Sequence, residues 1–262
     1  MTPEANRFLV THNSLHVWSA TFTRETLSPT NEAIALLSAD ELARARRFRR
    51  PDDQLLFTRA HIALRQTLSR YAPIAPQNWS FEPGQYGRPE ISNPDAPKGL
   101  RFNLTHTPGM MAIVVNGAFD AGVDVEGVGR VADLDAMSRT SFSAAERAAL
   151  LALPSAAQAL RFAQTWALKE SFIKAMGTGL ATPLRAFSFD LSAPGSIGFT
   201  CDPDVDPNPS AWSFSVGEPT SNHVLATACR LGSEVAPAVD HLLLGLPSPA
   251  NHDYRASFSY SS

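Results

Sequence analysis

Ser143-Ala-Ala-Glu146 repeats Ser38-Ala-Asp-Glu41 at a distance of 105 residues, and this repeat decides the fold. Each segment has the pattern of a capping box, in which the serine and the glutamate satisfy backbone N–H groups at a helix start. After each one, apolar residues spaced three or four apart predict a longer helix, from Phe57 to Tyr71 and from Phe162 to Met176. The chain is therefore predicted to contain two copies of one unit.

A short strand is predicted ahead of each helical block. The fold class is therefore α+β, with two similar α+β subdomains at residues 1–118 and 119–231. Residues 232–262 carry Pro, Ser and His without clear periodicity, and we expect a tail that is draped or disordered. The predicted strands are Leu15 to Phe22, Leu100 to Leu104, Met110 to Val115, Ala121 to Glu126, Phe187 to Leu191, Trp212 to Val216 and Val224 to Cys229.

The composition, 44% hydrophobic and 18% charged over 262 residues, is that of a soluble globular protein. The longest apolar run, Met110 to Val115, is too short to cross a membrane, and the first residues lack the pattern of a secretion signal. Two cysteines in a chain of this size do not form a disulfide framework. We expect a cytoplasmic protein without a membrane partner.

A formal net charge of -3 argues against general binding of nucleic acid, yet five arginines crowd into seven positions. This local positive charge is suited to a small polyanion. The alternative is a solvated helix end, partly neutralised by the acids on either side. The five residues are Arg44, Arg46, Arg47, Arg49 and Arg50.

Gly122-Val-Asp-Val-Glu126 alternates apolar and acidic residues. In a strand, this alternation places Asp124 and Glu126 on one face and turns Val123 and Val125 toward the core. Two neighbouring carboxylates repel each other unless a cation lies between them, and oxygen ligands of this kind suit Mg²⁺. The alternative is a solvated strand face, on which alternating acids are common.

The second acidic motif lies in Trp166-Ala-Leu-Lys-Glu170-Ser-Phe-Ile-Lys174. Glu170 and Lys174 have the spacing of an exposed ion pair worth only ~0.3–0.5 kcal/mol. That alternative does not explain Lys169, which the helical period places on the inward side. Only the second copy of the unit carries the three acids, because the 105-residue offset matches Asp124, Glu126 and Glu170 to Ser19, Thr21 and Arg65.

Two further segments contain candidate ligand contacts. Phe102-Asn-Leu-Thr105-His106 ends a predicted strand, and Gly87-Arg88-Pro89 places an arginine on a rigid loop. A histidine beside a turn is more often a surface or capping residue. An arginine in such a loop is able to meet a phosphate or an adenine face.

Together these motifs resemble the 4'-phosphopantetheinyl transferase superfamily, over roughly Ser38 to Leu191. The Gly-Val-Asp-Val-Glu segment followed about forty residues later by Trp-x-x-Lys-Glu-Ser is highly specific in combination. The length and the duplication resemble the surfactin-type subfamily, whose members are single-chain pseudo-dimers. The resemblance implies a Mg²⁺-dependent enzyme, with Mn²⁺ as a possible substitute. It would transfer the 4'-phosphopantetheine of coenzyme A to a serine of an apo acyl or peptidyl carrier protein and release 3',5'-ADP.

The resemblance also implies roles for individual residues. Glu170 or a metal-bound water would help to deprotonate the serine, Lys169 and Lys174 would contact the phosphates, and Thr105 and His106 would lie near the 3'-phosphate and adenosine. The metal ligands would be Asp124, Glu126 and Glu170, and the further contacts to the nucleotide end would be Arg44, Arg47 and Arg88.

Two other functions stay open. One is a degenerate module that binds coenzyme A without turnover, although retention of all three acids argues against it. The other is a metal-dependent phosphohydrolase, for which the sequence offers no additional base to position a water. A fused duplication predicts one active site per chain and a protein that works as a monomer.

Overall fold

The computed structural model describes residues 8–10, 14–117, 119–230 and 238–244. The helices are α1 Arg24–Leu27, α2 Asn31–Ile34, α3 Ala39–Ala45, α4 Pro51–Leu68, α5 Leu134–Ser141, α6 Ala144–Leu151 and α7 Ser155–Met176. The strands are β1 Ser14–Thr21, β2 Phe81–Pro83, β3 Pro89–Ile91, β4 Leu100–Thr107, β5 Met110–Gly117, β6 Asp120–Gly127, β7 Phe187–Asp190, β8 Gly198–Cys201, β9 Trp212–Thr220, β10 His223–Arg230 and β11 Ala238–Leu243. No helix in these ranges is both long and apolar enough to span a membrane.

The chain divides into two compact units, and the break falls between Phe119 and Asp120. The first unit contains a sheet with the strand order β11-β1-β5-β4, and the second contains one with the order β6-β10-β9. Each unit also has a two-stranded hairpin, β2-β3 or β7-β8. The shared pattern of a three-stranded antiparallel sheet, a long helix and a hairpin agrees with the α+β duplication predicted from the sequence.

Both predicted capping boxes are present. Ser38 N–H donates to Glu41 Oε2 at 2.8 Å, and Ser143 N–H donates to Glu146 Oε2 at 2.7 Å. In return, each serine hydroxyl accepts the backbone N–H of its glutamate at 3.2 Å. These local bonds start α3 and α6 at equivalent places in the two units, because each satisfies backbone donors that a helix start leaves free.

In each unit the long helix covers one face of the sheet. In the first unit Leu64 of α4 packs with Trp18 and Ile113 of the sheet. In the second unit Phe172 of α7 packs with Phe214 and other aromatic rings. A helix laid on a sheet buries the apolar face of both, so each unit has its own core.

The structure corrects the prediction for the C-terminal tail. Within residues 232–262, which were expected to be draped or disordered, Ala238–Leu243 forms β11 and pairs in parallel with β1. Leu242 enters the first core, and Leu244 N–H donates to Ser19 O at 2.7 Å. The sequence pattern did not reveal this strand, because its pairing partner lies at the other end of the chain. Residues 231–237 and 245–262 lie outside the described ranges.

Candidate active site

A glycine allows β6 and α7 to lie unusually close together. A Cβ atom on Gly122 would stand 2.1 Å from Ser171 O and 2.5 Å from Ala175 N. Real Cβ atoms essentially never approach other atoms more closely than 3.0 Å. Gly122 is therefore required for the packing that brings the Gly-Val-Asp-Val-Glu strand against the Trp-x-x-Lys-Glu helix.

The acidic face of β6 is the face that α7 covers. Asp124 is opposite Ala226 in the register of β6 with β10, and Ala226 belongs to the core that α7 helps to form. Directly opposite residues share a sheet face, so Asp124 also points to the helix side. The predicted alternation is present, but a solvated acidic face was the wrong alternative, because only 3% of Asp124 is exposed. Val123 and Val125 are buried on the other face.

Lys174 of α7 neutralises part of this acidic face. Its Nζ donates to Asp124 Oδ1 at 2.5 Å and to Val123 O at 3.3 Å. Glu170 lies four residues earlier on the same helix, and therefore on the same side of it. The structure thus brings together Asp124, Glu126, Glu170 and Lys174, as the two motifs predicted.

The carboxylates at this place have shifted pKa values. Burial, and then the charge of Asp124, raises the pKa of Glu126 from 4.5 to about 7. Burial, and then Asp124 again, also raises the pKa of Glu170, while Lys174 acts in the opposite direction. Burial and the charge of a neighbouring acid both favour the protonated form of a carboxylate, and perturbed carboxylates of this kind are concentrated at functional sites.

The chemistry of this donor set fits Mg²⁺, which prefers carboxylate oxygens and completes its shell with waters and phosphates. Among residues 8–10, 14–117, 119–230 and 238–244, no group of three or more His, Cys, Asp or Glu side chains is already arranged to hold a metal ion. Asp124, Glu126 and Glu170 are near each other, and one cationic charge at this place is supplied by Lys174. Metal binding by the three acids stays a prediction.

The structure contradicts the phosphate contact predicted for Lys169. Its side chain is fully buried, and Nζ lies 2.8 Å from a carboxylate oxygen of Glu146. The same Nζ donates to Leu184 O at 2.8 Å and to Phe187 O at 2.7 Å. An ammonium group has three N–H donors, and these partners use all of them. Lys169 is inward, as the helical period indicated, but it joins α7 to α6 and to the start of β7.

The same buried pair exists in the first unit. Arg65 Nε donates to Glu41 Oε2 at 2.9 Å, and its Nη1 donates to the carbonyl oxygens of Pro76 and Trp79. Arg65 thus has the role of Lys169, although the 105-residue offset matched it to Glu170. The long helices of the two units align at an offset of 104 residues, whereas the capping boxes align at 105. With the offset of 104, the first-unit residue equivalent to Glu170 is Gln66.

The arginines predicted at the nucleotide end lie in the first unit. Arg44 and Arg47 are exposed, and the Arg44 guanidinium lies over the Phe57 ring, 5.4 Å from its centroid. Arg88 forms an ion pair with Glu90 at 3.2 Å. Their contacts to coenzyme A stay predictions.

Thr105 and His106 point to opposite faces of β4, because successive side chains of a strand alternate. Thr105 is buried, with 5% of its surface exposed, and His106 is half-buried on the face that carries Phe102. The contacts that the resemblance implies for Thr105 and His106, near the 3'-phosphate and adenosine, stay predictions.

Arg59 of α4 is a candidate that the sequence patterns did not single out. Only 5% of it is exposed, its Nε makes no hydrogen bond, and none of the ion pairs between described residues includes it. Burial lowers the pKa of its guanidinium. A buried cation without a counter-charge is costly, which makes Arg59 a candidate to bind an anionic group. The available signal was an arginine inside the mostly apolar stretch Leu55 to Ala60.

Comparisons with known proteins bear directly on this arrangement. Residues 120–228 match the family model described as the 4'-phosphopantetheinyl transferase superfamily, and this segment contains both acidic motifs. The chain is similar to the 4'-phosphopantetheinyl transferase HetI of Nostoc sp. strain PCC 7120, with 30% identity over 68% of this chain and 75% of that protein.

Two Bacillus subtilis proteins show a comparable similarity. Sfp of strain 168, a 4'-phosphopantetheinyl transferase, is 30% identical over 63% of this chain and 70% of its own length. The 4'-phosphopantetheinyl transferase ffp is 31% identical over 64% of this chain and 72% of its own length. The Sfp-like type predicted from the motifs is confirmed by these relatives. With its acidic strand and helix in the matched segment, the chain belongs to the 4'-phosphopantetheinyl transferase superfamily and is an enzyme of that class.

Proposed function

We propose that this enzyme transfers the 4'-phosphopantetheine group of coenzyme A to a serine of an apo acyl or peptidyl carrier protein and releases 3',5'-ADP. The observation that supports this most is the crowding of Asp124, Glu126 and Glu170 around Lys174, between β6 and α7. Breaking a pyrophosphate bond requires positive charge where negative charge grows on the leaving group. Lys174 supplies one positive charge at this place, and the three carboxylates are of the ligand type that a divalent cation prefers.

The proposed metal is Mg²⁺, with Mn²⁺ as a substitute, held by Asp124, Glu126 and Glu170. When bound, the metal would polarise the phosphate oxygens and offset the charge of the departing 3',5'-ADP. Lys174 would add its ammonium charge beside the same phosphates. Glu170 would accept the proton of the carrier serine at a carboxylate oxygen.

The nucleotide end of coenzyme A is proposed to contact residues of the first unit. Exposed Arg44 and Arg47 would attract the polyanion, and buried Arg59 would bind a phosphate group directly. The contacts proposed from the resemblance are Arg88, Thr105 and His106. We further propose that the enzyme is a cytoplasmic monomer with one active site per chain.

The test is mass spectrometry of an apo carrier protein incubated with the enzyme, coenzyme A and MgCl₂. We expect the carrier to gain one phosphopantetheinyl group, and this gain to vanish with EDTA and return with excess Mg²⁺ or Mn²⁺. A panel of apo carriers from fatty acid, polyketide and peptide synthesis should be used, so that a poor carrier is not mistaken for an inactive enzyme. Cleavage of coenzyme A without modification of any carrier would instead support a phosphohydrolase.

A further inference from the structure

A cavity of about 460 Å³ lies in the second unit, between α6, α7 and the β7-β8 hairpin. This volume is within the ~300–1,000 Å³ range of small-molecule sites in proteins. Its walls carry Glu146 and Ala149 of α6, Arg161 and Thr165 of α7, and Asp190 and Leu191 of the hairpin. None of the acids proposed to bind Mg²⁺ lines it.

One buried hydrogen-bonding group on this cavity has no partner among the described residues. Arg161 Nε is buried and makes no hydrogen bond. Thr165 is 4% exposed and lines the cavity, and no hydrogen bond of its hydroxyl is found among the described residues. The two residues are four positions apart on α7, so they are neighbours on one helix face. Buried polar groups are nearly always satisfied, so the unpaired Arg161 Nε, with the Thr165 hydroxyl beside it on the same cavity, indicates a missing ligand.

The duplication supplies an internal comparison. Thr165 and Arg161 precede Lys169 by four and eight residues, as His61 and Phe57 precede Arg65. In the first unit, Phe57 stacks on His61 with 3.8 Å between ring centroids. These rings have no counterpart in the second unit, where the equivalent positions carry a threonine and an arginine.

Helix α6, which lies on the cavity opposite α7, also differs from its counterpart α3 in the first unit. Ala149 follows Glu146 by three residues, and Arg44 follows Glu41 by three. Arg44 lies over the Phe57 ring in the first unit, whereas Ala149 is too short to reach across the cavity. The second unit thus has an open space, lined by a cation and a hydroxyl, where the first unit has packed side chains.

The side chains that line the cavity indicate which class of small molecule it binds. A guanidinium edge matches the two oxygens of a carboxylate, and the Thr165 hydroxyl supplies a further donor. Of the two acids on the cavity, Glu146 does not compete for Arg161, because its oxygens accept from Lys169, Ser143 N and Phe189 N. Hydrogen bonds from Ser192, and then the charge of Arg161, lower the pKa of the other acid, Asp190, which therefore offsets part of the Arg161 charge without forming an ion pair with it. Ala149 and Leu191 give an apolar surface for the rest of a small molecule.

We propose that this cavity binds a small carboxylate, with its anionic group on Arg161 and Thr165 and its apolar body against Ala149 and Leu191. The site is separate from the proposed chemistry of coenzyme A, so its existence does not depend on the proposed function. Asp190 on the same cavity would additionally favour a ligand with an ammonium group, as in an α-amino acid.

The test is a titration of the ¹⁵N-labelled full chain with hexanoate, followed by NMR. We expect saturable shifts confined to the amides of α6, the first half of α7 and the β7-β8 hairpin. Hexanol, which lacks the anionic group, should not saturate these shifts. Norleucine separates two ligand classes, since tighter binding than hexanoate identifies an amino acid and weaker binding a simple acid. Either result supports a carboxylate site.

Substitutions of the cavity residues test whether hexanoate binds in this cavity. Arg161→Gln should weaken hexanoate binding about tenfold or more, since it removes a charge-assisted hydrogen bond. The double variant Ala149→Arg with Arg161→Phe copies the first unit and should abolish the binding. Thr165→Val keeps nearly the same side-chain shape and removes the hydroxyl. It tests the proposal if the other variants do not fold. Unsaturated shifts, equal binding of hexanol, or unchanged affinity in folded Arg161→Gln and Thr165→Val would each overturn the proposal.

Discussion

Lys169 contacts Glu146 at 2.8 Å inside the second unit, in the place that Arg65 and Glu41 occupy in the first. Both cations also bond to two backbone carbonyls that follow the long helix. A buried pair with this many bonds fixes how the long helix is rotated on its sheet. In the second unit the next residue on that helix is Glu170, so the pair helps to orient the acidic site.

The first prediction concerns the stability that this pair provides. Lys169→Met should lower the free energy of unfolding by about 3–5 kcal/mol, because it leaves Glu146 buried without its partner. Urea unfolding measures the loss, with exposed Lys98→Met as the control. A variant that unfolds like the wild type but loses transferase activity would show that Lys169 contacts the phosphates after all.

Removing an acid of the site should abolish most of the activity. Asp124→Asn and Glu170→Gln are each expected to lower kcat about 100-fold or more, in line with the loss of an electrostatic group at a reacting centre. The unfolding temperature of Glu170→Gln should stay equal or rise, because this change relieves repulsion between carboxylates. Asp124→Asn also removes the charge with which Lys174 pairs, so its unfolding temperature is expected to fall. Turnover and thermal unfolding are compared with those of Asp204→Asn, an exposed acid of the same unit. Near wild-type turnover at saturating Mg²⁺ would refute the proposed metal site.

Gly122→Ala should destabilise the second unit by about 1–3 kcal/mol, as overpacking generally does, and should lower activity as well. The added methyl group would meet backbone atoms of Ser171 and Ala175, which cannot move aside without shifting α7. Gly127→Ala is the matched control on the same strand, because its methyl group would meet only the flexible Arg130 side chain. If the two variants unfold at the same urea concentration, close strand–helix packing is not the reason for the glycine.

Arg59→Gln should raise the KM for coenzyme A about tenfold through the loss of a charged hydrogen bond. The unfolding temperature should not fall, since the variant removes an uncompensated buried charge. Exposed Arg24→Gln, which loses only an ion pair with Asp52, is the control. Repeating the assay with dephospho-coenzyme A tells whether Arg59 binds the 3'-phosphate, in which case the variant no longer differs from wild type. An unchanged KM with both substrates would remove Arg59 from the site.

Acidification should loosen β11. Burial lowers the pKa of His241 from 6.5 to about 4. The unfolded chain therefore takes up a proton as the pH falls through 6.5, while the folded chain does not until about pH 4. The neutral His241 ring therefore makes its full contribution to the stability of the folded chain above pH 6.5. This contribution is lost progressively as the pH falls toward 4.

Hydrogen exchange of the β11 amides, corrected for its intrinsic pH dependence, measures this effect. We expect protection to fall by about twentyfold between pH 7 and pH 5, because pH 5 lies about 1.5 units below the pKa of 6.5 in the unfolded chain. His241→Leu should remove most of this pH dependence. A pH dependence that persists in the variant would assign it to another group.

Local patterns predicted much of the fold. Ser143 and Glu146 lie within one helical turn, so the sequence contains everything their capping box needs. The alternation in Gly122-Val-Asp-Val-Glu126 likewise gave the strand and the shared face of its acids. These features depend on neighbours in the chain.

The features that the sequence did not predict depend on distant partners. Lys169 was matched to a phosphate because its real partners, Glu146 and Phe187 O, are reached only after the chain has folded back on itself. The equivalence of Arg65 and Lys169, which are 104 residues apart instead of 105, was missed for the same reason. Arg59 was missed because the absence of a counter-charge is a property of its surroundings, not of a pattern.

The parallel pairing of β11 with β1 determines when the first unit is completed during synthesis. The ribosome finishes residues 120–230, which contain the sheet and the long helix of the second unit, before residues 238–243 emerge. Until then β1 presents an open edge, a template to which strands of other chains are able to add. The second unit is in effect an insertion within the first, and nascent chains released before residue 238 should aggregate more readily than full-length ones.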